Sequence, residues 1–198
     1  DADCLAASEA VDGAGSGYNV VFAVILGSGA GAGVAVGGRA HHGPNNSAGD
    51  WGHNPLPYPQ VSEVPGQPCY CGRDNCSARF VSGTGLAGRF VERHGRGLSP
   101  IGIITAAAEG DVEAEAHYDH FIQALARSVA SLINVLDPDV IVLGGGLSNI
   151  DRLYLDLPQA LTPYLFSDRC ITPMVPARYG DSSGVRGAAW LPSCVEGA

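Results

Sequence analysis

Between Gly43 and Cys76 the chain has no hydrophobic periodicity, yet it carries the pattern His53-x15-Cys69-x-Cys71-x4-Cys76. A stretch of this length, rich in Pro, Gly, Asn and Ser, cannot build a core of its own. Inside a compact domain such a loop is functional or stapled from within. The donor types supply a staple, because zinc favours thiolate and imidazole in tetrahedral sites and Cys3His is a common structural set. Four protein ligands leave no open position, so the Zn2+ expected at His53, Cys69, Cys71 and Cys76 is structural and not a Lewis acid. Coordination would contribute ~10–16 kcal/mol toward ordering the loop, and Pro68, Gly72 and Asn75 suit a tight knuckle. Two other readings stand beside it: ordinary buried or loop cysteines with His53 nearby by chance, and a Cys69–Cys71 redox pair. Dithiol catalysis normally uses Cys-x-x-Cys beside a helix N-terminus, which weighs against the second.

Around this loop the pattern is mixed α/β. Residues 1–12 read as a helix with Asp1 at or near its N-cap, ended by Gly13–Gly17. Asn19–Leu26 is a β-rich apolar run and hence a buried strand. A glycine-rich turn is expected over Gly27–Gly33, then a strand at Val34–Val36, a Gly37-Gly38 hairpin and a return strand from Arg39. Helical patterning resumes over 78–94 and 101–108 and is strongest over Val112–Leu136, where Asp137-Pro138 stops it. Val140–Leu143 is a second buried strand, punctuated by Gly144-Gly145-Gly146. A helix over 151–165, an edge strand over Ile171–Val175 and a last helix over Ser183–Leu191 complete the expectation. There is no internal repeat.

Composition excludes several functions. The net charge is −9 and every basic residue is arginine, so a Walker A loop or a Schiff-base lysine is impossible. An acidic chain without a basic stripe is a poor partner for nucleic acid or an anionic membrane. No apolar run approaches the ~18 residues of a membrane span, and no signal-peptide pattern is visible. The chain is long enough to form a core without disulfides. Clustered cysteines then favour a reducing, cytoplasmic setting and metal binding.

The glycine loops carry the next signal. Leu26-Gly27-Ser28-Gly29 leads into a strand and not a helix, so it resembles a phosphate-binding hairpin more than a dinucleotide turn. Gly144-Gly145-Gly146 falls at the carboxyl end of a strand, where open α/β sheets bind ligands. A purely structural turn is an equal reading of each. Asp1 is a helix cap or a base. Asp50, three residues before His53, orients that histidine or accepts a hydroxyl.

In this order the pieces resemble the ROK family of repressors, open reading frames and sugar kinases. Asp1-Ala2-Asp3-Cys4 is similar to its Asn-Asp-Ala-Asn segment, Leu26–Gly29 to its second phosphate loop, and Asp50-Trp51-Gly52-His53 to its Glu-x-Gly-His sugar motif. Cys69-Tyr70-Cys71-Gly72 with Cys76 is similar to its zinc knuckle, and Gly144–Gly146 to its adenosine motif. Trp51–Pro57, Pro68–Gly72, Val140–Asn149 and Gly180–Trp190 are most similar to bacterial fructokinases.

The resemblance implies an actin-like ATPase (ribonuclease H-like) lobe with a mixed sheet, flanking helices and a zinc-binding insertion over about 43–80. It implies phosphorylation of a hexose, fructose first, by ATP with Mg2+, in a homodimer. On this reading Asp1 is the general base and Asp50 and His53 bind the sugar. Gly27, Ser28, Gly29, Gly144, Gly145 and Gly146 hold the nucleotide. The chain departs from the pattern in three ways. The other lobe, with the first phosphate hairpin, has no counterpart, so residues 1–198 are expected to form the C-terminal lobe, inactive or weakly active alone. Asp50 replaces Glu. Ala78 stands where the family often has a sugar-binding Glu, a loss worth roughly 1.5–3 kcal/mol. A non-catalytic sugar-binding or regulatory module, and a zinc-stapled interaction domain without a ligand, are the alternatives.

Overall fold

The computed structural model describes residues 2–180 and 186–190. Strand β1 (Val20–Leu26) is the centre of a five-stranded sheet. β2 (Ala30–Val36) pairs antiparallel with it, and β3 (Arg39–His41) pairs antiparallel with β2. On the other side β4 (Val140–Gly144) and β5 (Met174–Pro176) add in parallel, giving the order β3-β2-β1-β4-β5.

Both faces of β1 are covered, which is why it reads as an unbroken apolar run. Val21 and Ala23 face helix α1 (Ala2–Val11), while Phe22, Val24 and Leu26 join the larger core on the opposite side. β4 divides in the same period of two: Val140 and Val142 go to the α1 side, Ile141 and Leu143 to the other. Helix α1 meets the sheet through Leu5, Ala6 and Ala10, the two alanines small enough for close approach. At Gly33 the approach is so close that a Cβ would lie 2.4 Å from the Ala2 carbonyl oxygen. The pairing of β2 with β1 corrects one expectation. Ala30–Gly33 belongs to β2, in register with β1 from Leu26 opposite Ala30, and only Gly27–Gly29 forms the turn. Gly33 is the residue on which the overlying helix presses, while Ala30 and Ala32 pack with the core on the opposite face.

The other face carries α2 (Ala78–Val81), α3 (Gly83–His94), α4 (Pro100–Ala108), α5 (Val112–Leu136) and α6 (Leu153–Leu161). α5 supplies Phe121, Leu125 and Val129 to the core. Asp111 caps it by accepting from Glu113 N and Ala114 N, both at 3.0 Å. It ends at Asp137, whose φ of 46° leaves the helix just before Pro138.

Three expected spans differ. The helix over 78–94 is broken at Ser82, whose extended backbone lets its hydroxyl cap α3 by accepting from Gly85 N at 3.0 Å. The helix over 151–165 shortens to α6 followed by a 3-10 turn over Thr162–Tyr164 at Pro163. The edge strand begins at Met174 and not Ile171, because Pro173 has no N–H and contributes only its carbonyl, which accepts from Ile141 N at 2.9 Å. Of the expected last helix, residues 186–190 are helical and the rest lies outside the described residues. Among the described residues no helix is long and apolar enough to cross a membrane.

Candidate functional site

β1 and β4 are adjacent and parallel, so both release the chain at the same edge of the sheet. The two glycine loops predicted from sequence meet there. Gly27 N donates to Gly29 O at 3.0 Å, closing the first loop as a tight turn. Gly145 sits against it at φ 82°, and a Cβ there would lie 2.7 Å from both the carbonyl carbon and oxygen of Leu26. Only glycine allows that backbone angle and that approach together. The Ser148 hydroxyl holds the second loop by donating to Gly145 O at 2.7 Å.

A third element joins them. The break at Ser82 turns the start of α3 onto the first loop, where Gly83 N donates to Gly27 O at 2.7 Å. Between the loops and the helix lies a cavity of about 750 Å³. Gly27, Ser28, Gly145 and Gly146 form one wall; Gly83, Thr84, Ala87 and Gly88 of α3 form another; Val91, Ile101 and Leu147 add apolar lining. The contribution of α3 was not foreseen. Its signal was present in Ser82-Gly83-Thr84-Gly85, a capping serine and two glycines interrupting a helical period.

The segment between β3 and α2 contains only two short 3-10 turns, Trp51–His53 and Val61–Glu63. The first lies across the start of β2: a Cβ on Gly52 would be 2.0 Å from the Ala30 carbonyl oxygen. That contact holds the backbone between His53 and the buried Trp51. The expected ligands converge. One donor atom from each of His53, Cys69, Cys71 and Cys76 lies within 4.8 Å of the others. His53 Nδ1 is 3.6 Å from Cys69 Sγ, and Cys71 Sγ is 3.5 Å from Cys76 Sγ. Cys69 and Cys76 are buried, Cys71 is exposed, and all three are free thiols. Burial and the neighbouring thiols push the Cys76 thiol up to about 12, whereas the Arg73 backbone N–H pulls Cys71 down. Three sulfurs and one imidazole nitrogen around a common point fit a soft, tetrahedral cation.

His53 Nε2 faces away from the sulfurs and bonds the Tyr70 hydroxyl at 2.8 Å. The two rings meet edge to face with centroids 5.0 Å apart. Tyr70 also lines a smaller cavity, about 260 Å³, with Ala2, Ser28, Gly29 and Ala78. Asp50 is exposed, and among the described residues its carboxylate makes no hydrogen bond, so it does not orient His53. Asp1 lies outside the described residues; its neighbour Ala2 borders the smaller cavity beside Ser28.

The loop has a second anchor that sequence reasoning missed. Glu63 accepts from Arg127 of α5 through both oxygens, at 2.9 and 2.7 Å, and from Gln60 N at 2.6 Å. Arg127 also donates to Tyr58 O at 2.6 Å. Burial alone would raise the Glu63 carboxyl. Arg127, His120 and the Gln60 N–H outweigh it and hold the carboxyl well below the usual carboxylate range. The partners lie 64 residues apart, so no local pattern announces them.

Residues 1–193 match the ROK family model. The chain belongs to the ROK family. It is 38% identical over 195 residues to an N-acetyl-D-glucosamine kinase of Yersinia pseudotuberculosis and 41% identical over 196 residues to one of Pasteurella multocida, covering 96% of this chain and 64% of the relative in each case. Among solved structures it is similar to a ROK hexokinase from Thermus thermophilus, with TM-score 0.84, 28% identity, and coverage of 96% of this chain and 62% of that one. A ROK family glucokinase from Streptomyces griseus, in complex with glucose and AMPPNP, gives TM-score 0.81 at 25% identity, covering 96% and 65%. The mixed sheet and flanking helices are therefore the actin-like ATPase architecture of ROK proteins, and this chain spans 64% of the length of the curated relatives it matches.

Proposed function

We propose that the chain forms the catalytic lobe of an ATP-dependent hexose kinase. The observation that carries this reading is the meeting of Gly27–Gly29 and Gly144–Gly146 at the ends of β1 and β4, beside a cavity of about 750 Å³. Phosphoryl transfer is mainly a matter of holding phosphates and placing a hydroxyl. The backbone of Gly27, Ser28 and Gly29 is assigned to the phosphates. Gly144, Gly145 and Gly146, with the apolar lining of the cavity, are assigned to the adenosine. ATP brings the phosphoryl group with its Mg2+. Asp1 is assigned as the general base that takes the hydroxyl proton. Asp50, exposed and uncommitted, and His53 are assigned to the sugar hydroxyls. Zn2+ held by His53, Cys69, Cys71 and Cys76 would be structural and would fix the imidazole.

Residues 1–198 are read as the C-terminal lobe, with the segment of about 43–80 as its metal-binding insertion and a homodimer as the assembly. A single lobe clamps the phosphates from one side, so low turnover is expected from this chain by itself. Fructose is the hexose the sequence motifs favour. N-acetyl-D-glucosamine is the second reading, favoured by the names of the relatives at 38 and 41% identity. The test is coupled ADP release by the protein at its full natural length with fructose, glucose, mannose and N-acetyl-D-glucosamine, with Asp1→Asn as control. Sugar-dependent ADP release lost in Asp1→Asn supports the reading. Sugar binding by calorimetry without any ADP release would favour a non-catalytic sugar-binding module.

A further inference from the structure

The Tyr70 side chain is an anomaly of the acceptor site. It is 90% exposed, yet its hydroxyl is held at 2.8 Å by His53 Nε2. The other ring nitrogen faces the cysteines. With a metal on Nδ1, the neutral ring carries its proton on Nε2, so Nε2–H donates and the Tyr70 oxygen accepts. Among the described residues, the smaller cavity that Tyr70 borders is walled by backbone and by small or apolar side chains, and only Ser28 and Tyr70 of its lining carry a polar side-chain group. The phenol therefore occupies the one outward hydrogen-bonding position of the imidazole, and it borders a cavity that Ser28 and Gly29 of the first glycine loop also line.

We infer that Tyr70 is a specificity-determining gate on the acceptor site: its hydroxyl stands in for a ligand hydroxyl on His53 Nε2, and a sugar binds by displacing it. This rests on the kinase reading above. An exposed phenol with a single hydrogen bond is cheap to move, since the net worth of such a bond is small. The gate therefore sets a threshold and not a block. A sugar whose hydroxyl reaches Nε2 recovers the bond and gains the freed aromatic edge as an apolar wall. A sugar with no hydroxyl at that position leaves Tyr70 in place and meets it as an obstacle. The gate acts on binding and leaves the transfer step alone.

The experiment is Tyr70→Phe in the full-length, metal-loaded protein. The ring stays and the competing acceptor goes. Affinity for the preferred hexose, read by calorimetry, is expected to tighten by roughly two- to tenfold. The same factor should appear as a lower KM with kcat unchanged, at equal zinc content. In nitrogen-resolved NMR of the sugar-free protein, the His53 Nε2–H resonance should shift, while in the sugar-saturated proteins it should be alike. Unchanged or weaker sugar affinity in Tyr70→Phe, with wild-type binding intact, overturns the gate alone. No hexose binding by the wild-type protein overturns the kinase reading, and the gate with it.

Discussion

The Glu63 carboxylate and the Arg127 guanidinium form a two-pronged pair with side-chain exposures of 0 and 1%. It pins the middle of the long loop, which also lends Trp51 and Leu56 to the core, to the longest helix. Removing one partner strands a buried charge, so Glu63→Ala or Arg127→Met should each destabilise by about 3–5 kcal/mol. Replacing both with apolar residues of similar volume should cost less than either single change. Chemical denaturation of the three variants checks this; additive losses would show that the two residues act separately.

The two glycine loops can be separated by a single methyl group. At Gly145 a Cβ meets the Leu26 backbone at φ 82°, whereas at Gly146 nothing lies within 4 Å of an added Cβ. Gly145→Ala should cost ~1–3 kcal/mol in backbone strain and weaken nucleotide binding at least about tenfold if the loops move apart. Gly146→Ala should leave the fold intact. Thermal shift with a non-hydrolysable ATP analogue reads both.

Metal analysis should find about one zinc per chain. His53→Ala and Cys71→Ser should lose it together, although Cys71 is exposed and His53 is only half-buried. A strong chelator should lower the melting temperature of the wild-type protein and have little effect on either variant.

Acid should destabilise the fold in two stages. Burial pushes His117 down to about 4 from an ordinary 6.5. Between those values the unfolded chain takes up a proton that the folded one refuses, so stability falls as pH falls, by up to ~1.4 kcal/mol per pH unit. Below the ordinary carboxylate range Glu63 adds a loss of the same sign, because its folded carboxyl holds its proton off more strongly than the unfolded one. Urea midpoints measured from pH 7.5 to 4 should decline from about pH 6.5 downward, and His117→Gln should flatten the upper part of that decline.

Much of this was legible in sequence because local chemistry enforced it. The helix over about Val112–Leu136 was legible because Asp137-Pro138 closes it, and Asp111 caps its other end. β1 and β4 followed from short β-branched runs ended by glycine. The convergence of His53, Cys69, Cys71 and Cys76 was legible because donor type and spacing constrain each other. What escaped depends on distant partners. Ala30–Gly33 is strand because it pairs with β1, with α1 pressed on Gly33, and nothing nearby distinguishes a glycine that turns a chain from one that admits a helix. Ser82 breaks a helix to bring α3 onto the first glycine loop, a purpose visible only in three dimensions. Glu63 and Arg127 found each other across 64 residues, and Tyr70 on His53 was hidden because both were read as parts of other motifs.

The His53 imidazole has one nitrogen turned to the cysteines and the other to the Tyr70 hydroxyl. A single rigid ring thus belongs to two binding equilibria. If sugar replaces the phenol there, thermodynamic reciprocity fixes the rest: whatever factor the metal adds to sugar affinity, the sugar must add to metal retention. A cell short of zinc would then lose the metal first from those copies that have no sugar to hold.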